Sequence, residues 1–277
     1  LNLFLICGAL AAFGASVAGS FHLDDYALLF NPDITSFTGF PKLWLPLATR
    51  PLTNATFWIN YQLGHGNAAG YHLVNLSLHL AAVWLLYGIL NSMIPQRETL
   101  IAASLFAIHP LQAEALNYVF ERATLLATVA CLLSLRAWLA GRLWPALAWF
   151  AAALLAKEEC VAFPVFLLLL HVSQKRPRGE RWTIAAMFIL SAAAGARVLM
   201  AISTTPGAWA GAQAGISREA YLLTQGAVIL RYFRLLALPW GFTVDPGIQP
   251  VTDWTAWLAW AALALAAGLA TLRFKNL

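Results

Sequence analysis

The sequence predicts an all-α, polytopic helical membrane protein, and two observations lead to that class. Of the 277 residues, 61% are hydrophobic and only 10% are charged, whereas soluble proteins carry about 25% charged residues. Apolar runs also recur along the whole chain, several of them near the roughly 20 residues that cross a bilayer. This pattern excludes a soluble domain. The net charge of +5 does not indicate nucleic-acid binding, because in such a chain the distribution of charge between the two membrane sides carries the information.

Nine apolar runs define the predicted helices, and eight of them are expected to span the membrane. The exception is 221–238, which carries Gln225, Arg231 and Arg234, and such side chains are costly in lipid. We expect this run to be an amphipathic or re-entrant helix on the outer face, with a ninth span as the alternative. The runs cover residues 1–19, 73–90, 100–108, 123–139, 143–156, 161–171, 182–202, 221–238 and 254–272.

The charges between the runs separate into two sets. One set of connections is rich in Lys and Arg and holds only Glu98 and Glu180 as acids, so the positive-inside rule makes that side cytoplasmic. The other ten of the twelve acids then face outward, and we expect the chemistry on that side. These acids are Asp24, Asp25, Asp33, Glu114, Glu121, Glu158, Glu159, Glu219, Asp245 and Asp253.

Two adjacent acids, Asp24 and Asp25, follow the first apolar run directly. Like charges so close raise each other's pKa, so a chain that keeps them at a membrane interface is expected to use them as a base or to hold a cation. The alternative is a solvated helix end. The pair opens a long first outer connection, residues 20–70, in which the spacing of apolar residues over 52–63 predicts a helix lying along the interface.

Short apolar runs with polar outer ends predict an outward-facing cavity cut into the membrane. His109 follows the run 100–108, and Lys157 and Glu158 follow the run 143–156. Arg122 begins the next run, and its planar fork suits a lipid phosphate, with Lys157 as a second positive charge. A salt-bridged helix start, formed with Glu114 and Glu121, is the alternative for Arg122. For the polar residues Asn75 and His79 we expect interhelical hydrogen bonds.

Several short motifs, taken in order, resemble the transmembrane and tetratricopeptide-repeat O-mannosyltransferases of the GT-C glycosyltransferase superfamily. The resemblance is clear over residues 20–165 and fainter at 238–254. No tetratricopeptide repeats occur in these residues, so the chain is most similar to the bacterial-type relatives that lack them. The motifs are HLDD at 22–25, NPD at 31–33, RPLT at 50–53, NY at 60–61, GYHLVN at 70–75 with His79, HP at 109–110 with Glu114 and Ala115, Arg122, and KE at 157–158.

The resemblance implies a single GT-C-like bundle of about 8–9 transmembrane helices over residues 1–277, with residues 20–70 as its first extracytoplasmic loop. It implies transfer of a mannose-like sugar from a polyprenyl phosphate to a hydroxyl acceptor, outside the cytoplasm. Asp24 and Asp25 are the expected catalytic residues, Asp24 as the base. The expected phosphate-binding residues are Arg122, Lys157 and His109, and the expected cavity-lining residues are His22, Arg50, His72, Glu114 and Glu158.

Other expectations remain open at this point. The acceptor is a protein Ser or Thr, with a glycolipid or cell-surface polymer as the alternative, and a membrane transporter with an acidic outer vestibule is the rival class. No cofactor is certain, although Asp24 and Asp25 leave room for a divalent cation. The expected location is a bacterial inner membrane, or the endoplasmic reticulum in a eukaryote.

Two further features of the chain bear on the resemblance. The chain does not begin with Met, and it stops directly after the last run, so we expect it to belong to a longer protein. Glu121 stands where a small Gly usually precedes the motif arginine, which puts the expected phosphate geometry in doubt.

Overall fold

The computed structural model describes residues 2–174, 180–204, 215–242 and 249–275. Within these ranges every regular element is a helix and no strand occurs, which confirms the all-α prediction. Asp245 and the basic residues 175–178 lie outside the described residues. The elements divide into two units, Leu1–Ala201 and Ile202–Leu277, and each is described by itself. The predicted single domain stays a prediction.

The elements bounded within the described part of the first unit are eleven α-helices and four 3-10 segments. The helices are α1 (Asn2–Phe13), α2 (Asp25–Phe30), α3 (Pro32–Thr35), α4 (Pro51–Gly64), α5 (Ala68–Asn91), α6 (Gln96–Ile108), α7 (Gln112–Asn117), α8 (Arg122–Leu139), α9 (Leu143–Ala156), α10 (Phe163–Ser173) and α11 (Arg181–Thr204), the last of which ends just beyond the boundary. The 3-10 segments are Gly14–Ala18, Phe37–Trp44, Val119–Glu121 and Glu158–Ala162.

Three helical segments of the described chain are long and apolar enough to cross a membrane: Ala68–Asn91, Val119–Leu139 and Arg181–Thr204. Three shorter apolar segments, Leu3–Ala18, Leu143–Ala156 and Trp254–Ala270, accompany them. The helices coincide with the predicted apolar runs to within a few residues and support a helical membrane protein. The expected number of spans stays a prediction.

Helices α8 and α9 form a tight hairpin that carries much of the packing. The hairpin turns at Gly141, whose φ of +70° lies in the left-handed region that glycine enters without steric cost. Ser134 on α8 donates to the carbonyl of Ala146 at 2.8 Å, which satisfies a group near the start of α9. Trp138 and Phe150 are fully buried in the same apolar cluster. The hairpin therefore holds the residues at its open end, including Lys157, in fixed positions.

The first outer connection is a packed part of the unit and not a free loop. Its apolar residues Leu28, Ile34 and Phe57 share a buried cluster with Tyr71 on α5 and with Val119. At Gly39, a Cβ would come within 2.4 Å of the Asp33 carbonyl oxygen, so only glycine permits this close approach. The predicted helix over 52–63 is confirmed by α4, while its depth in the membrane stays a prediction.

The second unit contains α12 (Arg218–Ala237) and α13 (Trp254–Lys275), which pack against each other. Trp260 donates its indole N–H to the Leu222 carbonyl at 3.3 Å, and its ring lies against Gly226, where a Cβ would meet it at 3.0 Å. Thr224 accepts a hydrogen bond from the Val251 backbone at 2.9 Å. α12 is not among the segments that qualify as spans, and its predicted interfacial position stays a prediction.

Candidate active site

The two adjacent acids occupy opposite environments. Leu23, just before them, has a left-handed φ of +46°, a conformation that costs a non-glycine residue about 1 kcal/mol or more. This turn exposes Asp24 and buries Asp25 completely. The two neighbours in sequence therefore lie in different environments, and their expected catalytic roles stay predictions.

Asp25 ties the first loop to the connection between α7 and α8. One carboxylate oxygen accepts from the backbone N–H groups of His22 at 3.0 Å and Val119 at 3.3 Å, and the other accepts from Phe120 at 2.7 Å. Backbone N–H groups are good partners for a buried carboxylate, because they satisfy its lone pairs without a counter-ion. Both oxygens of Asp25 are therefore engaged, and the loop is anchored to what we call the α7–α8 junction, residues 118–121.

Asp24 lies beside Tyr118 of that junction. The pKa of Tyr118 is raised to about 12, mainly by burial, with a further contribution from hydrogen bonding to Asp24 and from its negative charge. Tyr118 therefore keeps its proton at physiological pH. An exposed carboxylate held next to a neutral phenol can accept a proton from an incoming hydroxyl, which is what a general base requires.

Arg122, directly after the junction, is fully buried. Its guanidinium donates to the Asn75 side chain at 2.8 Å, to the Tyr71 carbonyl at 3.0 Å and to the Thr56 carbonyl at 3.3 Å. It also lies over the Phe57 ring, with 4.4 Å from the guanidinium carbon to the ring centre. In this arrangement Arg122 joins α4 and α5 to α8 and is not exposed to solvent. Its predicted contact with a phosphate stays a prediction.

Lys157 contacts the junction through Glu121 and is almost fully buried. Its amine donates to Glu121 at 3.0 Å and to Thr124 at 2.8 Å, and lies 3.4 Å from Glu159. Thr124 in turn donates to the same oxygen of Glu121. The acid that departs from the family pattern at position 121 is thus the ion-pair partner of the predicted phosphate-binding lysine.

Arg50 and Glu158 form a two-pronged ion pair beside Lys157. Two guanidinium nitrogens of Arg50 donate to the two oxygens of Glu158 at 3.0 and 2.6 Å, and this hydrogen bonding is the main reason that the pKa of Glu158 is lowered. Arg50 holds this position with a left-handed φ of +49°. The pKa of the nearby Glu114 is raised, first by burial and then by the negative charge of Glu121.

A cavity of about 440 Å³ opens on the other side of the first loop. The predicted cavity residues His22 and His72 line it, together with Ser16 and Asn117, whereas Arg50, Glu114 and Glu158 gather around Lys157 instead. The hydroxyl of Ser16 is buried and has no hydrogen-bond partner within the described chain. The cavity thus has one unsatisfied hydroxyl in its wall, and the rest of its lining is formed by Phe13, Gly19 and three alanines.

Three other predicted polar residues make hydrogen bonds at or next to the break between α6 and α7. His109 accepts the Leu111 backbone N–H through Nδ1 at 3.2 Å, where α6 gives way to α7. His79 contacts the Ala107 carbonyl at 3.0 Å, and Asn75 donates to the Ala115 carbonyl at 3.3 Å. The interhelical hydrogen bonds expected for Asn75 and His79 are confirmed. A phosphate contact by His109 stays a prediction.

The described residues do not form a clear cation site. Among residues 2–174, 180–204, 215–242 and 249–275, no group of three or more His, Cys, Asp or Glu side chains is placed to hold a metal ion. Since both oxygens of Asp25 already accept backbone hydrogen bonds, the pair offers a cation little more than Asp24. We therefore derive no step that passes through a metal.

Sequence reasoning missed two residues of this site. Tyr118, beside Asp24, gives no signal, because a lone tyrosine near a predicted interface is more typical of an aromatic belt. Thr124 stands three residues after Glu121 on a predicted helix, and that spacing brings side chains together. It could have been found from the spacing alone.

Comparisons with known proteins show what the chain is similar to. It is 35% identical over 165 residues to protein O-mannosyl-transferase Tmtc1 of Drosophila melanogaster, covering 52% of this chain and 19% of that protein. It is 28% identical over 282 residues to Tmtc2 of the same species, covering 85% and 30%, and 33% identical over 155 residues to human TMTC4, covering 46% and 21%. The matches thus span about a fifth to a third of the length of these relatives. No family model and no solved structure matches.

Proposed function

Because this chain is a homologue of the TMTC protein O-mannosyl-transferases, we propose that it forms the membrane-embedded catalytic part of a glycosyltransferase. The sugar is mannose-like, the donor is a polyprenyl phosphate sugar, and the acceptor is a protein Ser or Thr hydroxyl on the extracytoplasmic face. One structural observation carries the assignment of the site. Asp25 fixes the first loop to the α7–α8 junction, so that Asp24 and Lys157 stand around one short segment.

Asp24 is the proposed base. It is exposed, so an acceptor can reach it, and Asp25 and the left-handed Leu23 fix its backbone. As the acceptor hydroxyl attacks the anomeric carbon of the sugar, its proton passes to Asp24 and the bond from sugar to phosphate breaks. General-base catalysis of this kind contributes a factor of about 10² to 10⁴. The cavity lined by His22 and His72 is the nearest space for the sugar.

Lys157 is the proposed partner of the leaving phosphate. The phosphate gains negative charge as the bond breaks, and a positive charge fixed at that point stabilises the transition state. In the structure the Glu121 carboxylate forms an ion pair with the Lys157 amine at 3.0 Å, so the phosphate must displace this carboxylate when it binds. Arg122 stabilises the packing next to Lys157, because it donates hydrogen bonds to the Asn75 side chain and the Tyr71 carbonyl of α5.

The test is sugar transfer measured in membranes that contain the chain. We expect transfer from a polyprenyl phosphate mannose to a Ser/Thr peptide, and none to the same peptide with alanine at those positions. Transfer only to glycolipid would establish the alternative acceptor. Donor uptake across the membrane without any transfer would instead indicate a transporter.

Two pairs of variants assign the roles. Asp24→Asn should abolish most turnover while donor binding persists, and its control Glu98→Gln, which removes an exposed carboxylate elsewhere, should be neutral. Lys157→Met should weaken donor binding and turnover together, with Lys42→Met as the control for an exposed lysine. Full turnover in both Asp24→Asn and Lys157→Met would overturn the proposed site.

A further inference from the structure

Two of the three cysteines lie in contact, although 29 positions separate them in the sequence. The sulfur atoms of Cys131, on α8, and Cys160, in the 3-10 segment Glu158–Ala162, are 3.7 Å apart, and both side chains are partly buried. A disulfide bond measures about 2.05 Å, so the sulfurs must approach by about 1.7 Å more. Cys7 is exposed and belongs to α1.

We propose that Cys131 and Cys160 are a reversible dithiol–disulfide pair that covalently joins the segment carrying Lys157 to α8. The pair does not depend on the proposed function, since it rests on the contact between the two sulfurs. Cys160 stands three residues after Lys157 and two after Glu158. Closing the bond therefore fixes the backbone that presents both side chains of the polar cluster against the helix that carries Thr124.

The chemistry needs a disulfide oxidant, such as oxidised glutathione. The thiolate of one cysteine attacks a sulfur of the oxidant, breaks its S–S bond and releases one thiol, leaving a mixed disulfide on the chain. The second cysteine then attacks the protein sulfur of that mixed disulfide and releases the other thiol. The two protein thiols are oxidised by two electrons, the oxidant is reduced to two thiols, and the protons of the protein thiols pass to the released ones.

The position of the pair fits this chemistry. Cys160 follows Glu158 and Glu159 in the short segment after α9, and it also packs against the apolar cluster of Trp138 and Phe150. Cys131 lies inside Val119–Leu139, a segment that is long and apolar enough to cross a membrane. We therefore expect Cys160 to form the mixed disulfide first and Cys131 to resolve it.

The test counts free thiols in the whole chain held in membranes. The background variant Cys7→Ser is reduced, exposed to oxidised glutathione, denatured, and labelled with a maleimide polymer that shifts each free thiol on a gel. We expect two labels before oxidation, none after it, and two again after treatment with dithiothreitol. Peptide mapping should find one cross-linked peptide pair that joins Cys131 to Cys160 within a single chain.

The wild-type chain supplies an internal control, because the exposed Cys7 lies outside the pair, so oxidised glutathione should leave it as a glutathione adduct and not in the cross-link. The variants C7S/C131S and C7S/C160S should not form the cross-link, and C7S alone decides the question if either of them folds poorly. Two labels that persist after oxidation, a stable glutathione adduct on either cysteine, or a cross-link only between two chains would each overturn the proposal. None of these readouts requires sugar transfer, so a failure of the proposed function leaves the test intact.

Discussion

The two acids of the first loop should fail in different ways when each is changed to asparagine. Asp25 accepts three hydrogen bonds from backbone N–H groups. An asparagine offers one oxygen in place of two, so one or two of these N–H groups would face the amide NH₂ group. Hydrogen bonds to a charged partner contribute about 1.5–3 kcal/mol each, and a buried unsatisfied group costs about 1–3 kcal/mol. Asp25→Asn should therefore lower the free energy of unfolding by about 2–5 kcal/mol.

Asp24→Asn should leave the free energy of unfolding nearly unchanged and should slow sugar transfer instead. Its side chain is exposed, and surface substitutions usually change the free energy of unfolding by no more than about 0.5 kcal/mol. Loss of a general base, however, removes about 3–5 kcal/mol of transition-state stabilisation. The variant should fold normally and transfer sugar 10²- to 10⁴-fold more slowly.

Thermal unfolding in detergent, followed by tryptophan fluorescence, and transfer from a polyprenyl phosphate mannose measure the two effects on the same samples. Glu98→Gln serves as the reference in both. If Asp25→Asn were as stable as the reference, its carboxylate would not anchor the loop. If Asp24→Asn kept its turnover, the base would have to lie elsewhere, and the reasoning from exposure and burial would be refuted.

Three further outcomes follow from the neighbouring contacts. Glu158→Gln should cost about 0.5–1 kcal/mol of stability, because its ion pair with Arg50 is partly exposed. The pKa of Glu158 is lowered from its ordinary 4.5, so the cost should be complete above pH 4.5 and should vanish as the pH falls through the lowered pKa. Unfolding measured at a series of pH values checks this. Glu121→Gln removes the carboxylate that pairs with the mostly buried Lys157. Because this leaves a buried charge without its main partner, the variant should lose about 3–5 kcal/mol of stability and bind the donor phosphate more tightly, and weaker binding would contradict the displacement by phosphate. Arg122→Lys should lower the free energy of unfolding by about 3–5 kcal/mol, since a lysine amine cannot reproduce the hydrogen bonds of the planar guanidinium group. An unchanged unfolding temperature would show that the buried contacts are dispensable.

The helices of this chain were largely predictable because apolar periodicity and breaks determine them. The run 143–156 reappears with the same bounds as α9, and the run 73–90 reappears as α5, which begins five residues earlier after its cap residue Asn67. The predicted helix over 52–63 starts at Pro51, which is well suited to the first turn of a helix. These features are local, and a single sequence contains them.

The polar contacts of the site were less predictable, because they depend on which helices meet. Sequence reasoning assigned Arg122 to a phosphate on the strength of its chemistry, yet the structure surrounds it with Asn75, Tyr71 and Phe57. The pairing of Lys157 with Glu121 and of Arg50 with Glu158 joins residues 36 and 108 positions apart. Only the packing of α4, α8 and α9 brings these residues together.

The anchoring of Asp25 also constrains how the protein is made. Its partners Val119 and Phe120 follow it by 94 and 95 positions, so the first loop reaches its final form only after the chain has been synthesised as far as the α7–α8 junction. Until then its carboxylate and its apolar residues remain open to water or to chaperones. Contacts between distant parts of a chain also form late because closing a long loop costs conformational entropy before the contact compensates for it. The candidate site can therefore be assembled only once the α7–α8 junction has been made, which couples its formation to the completion of this part of the chain.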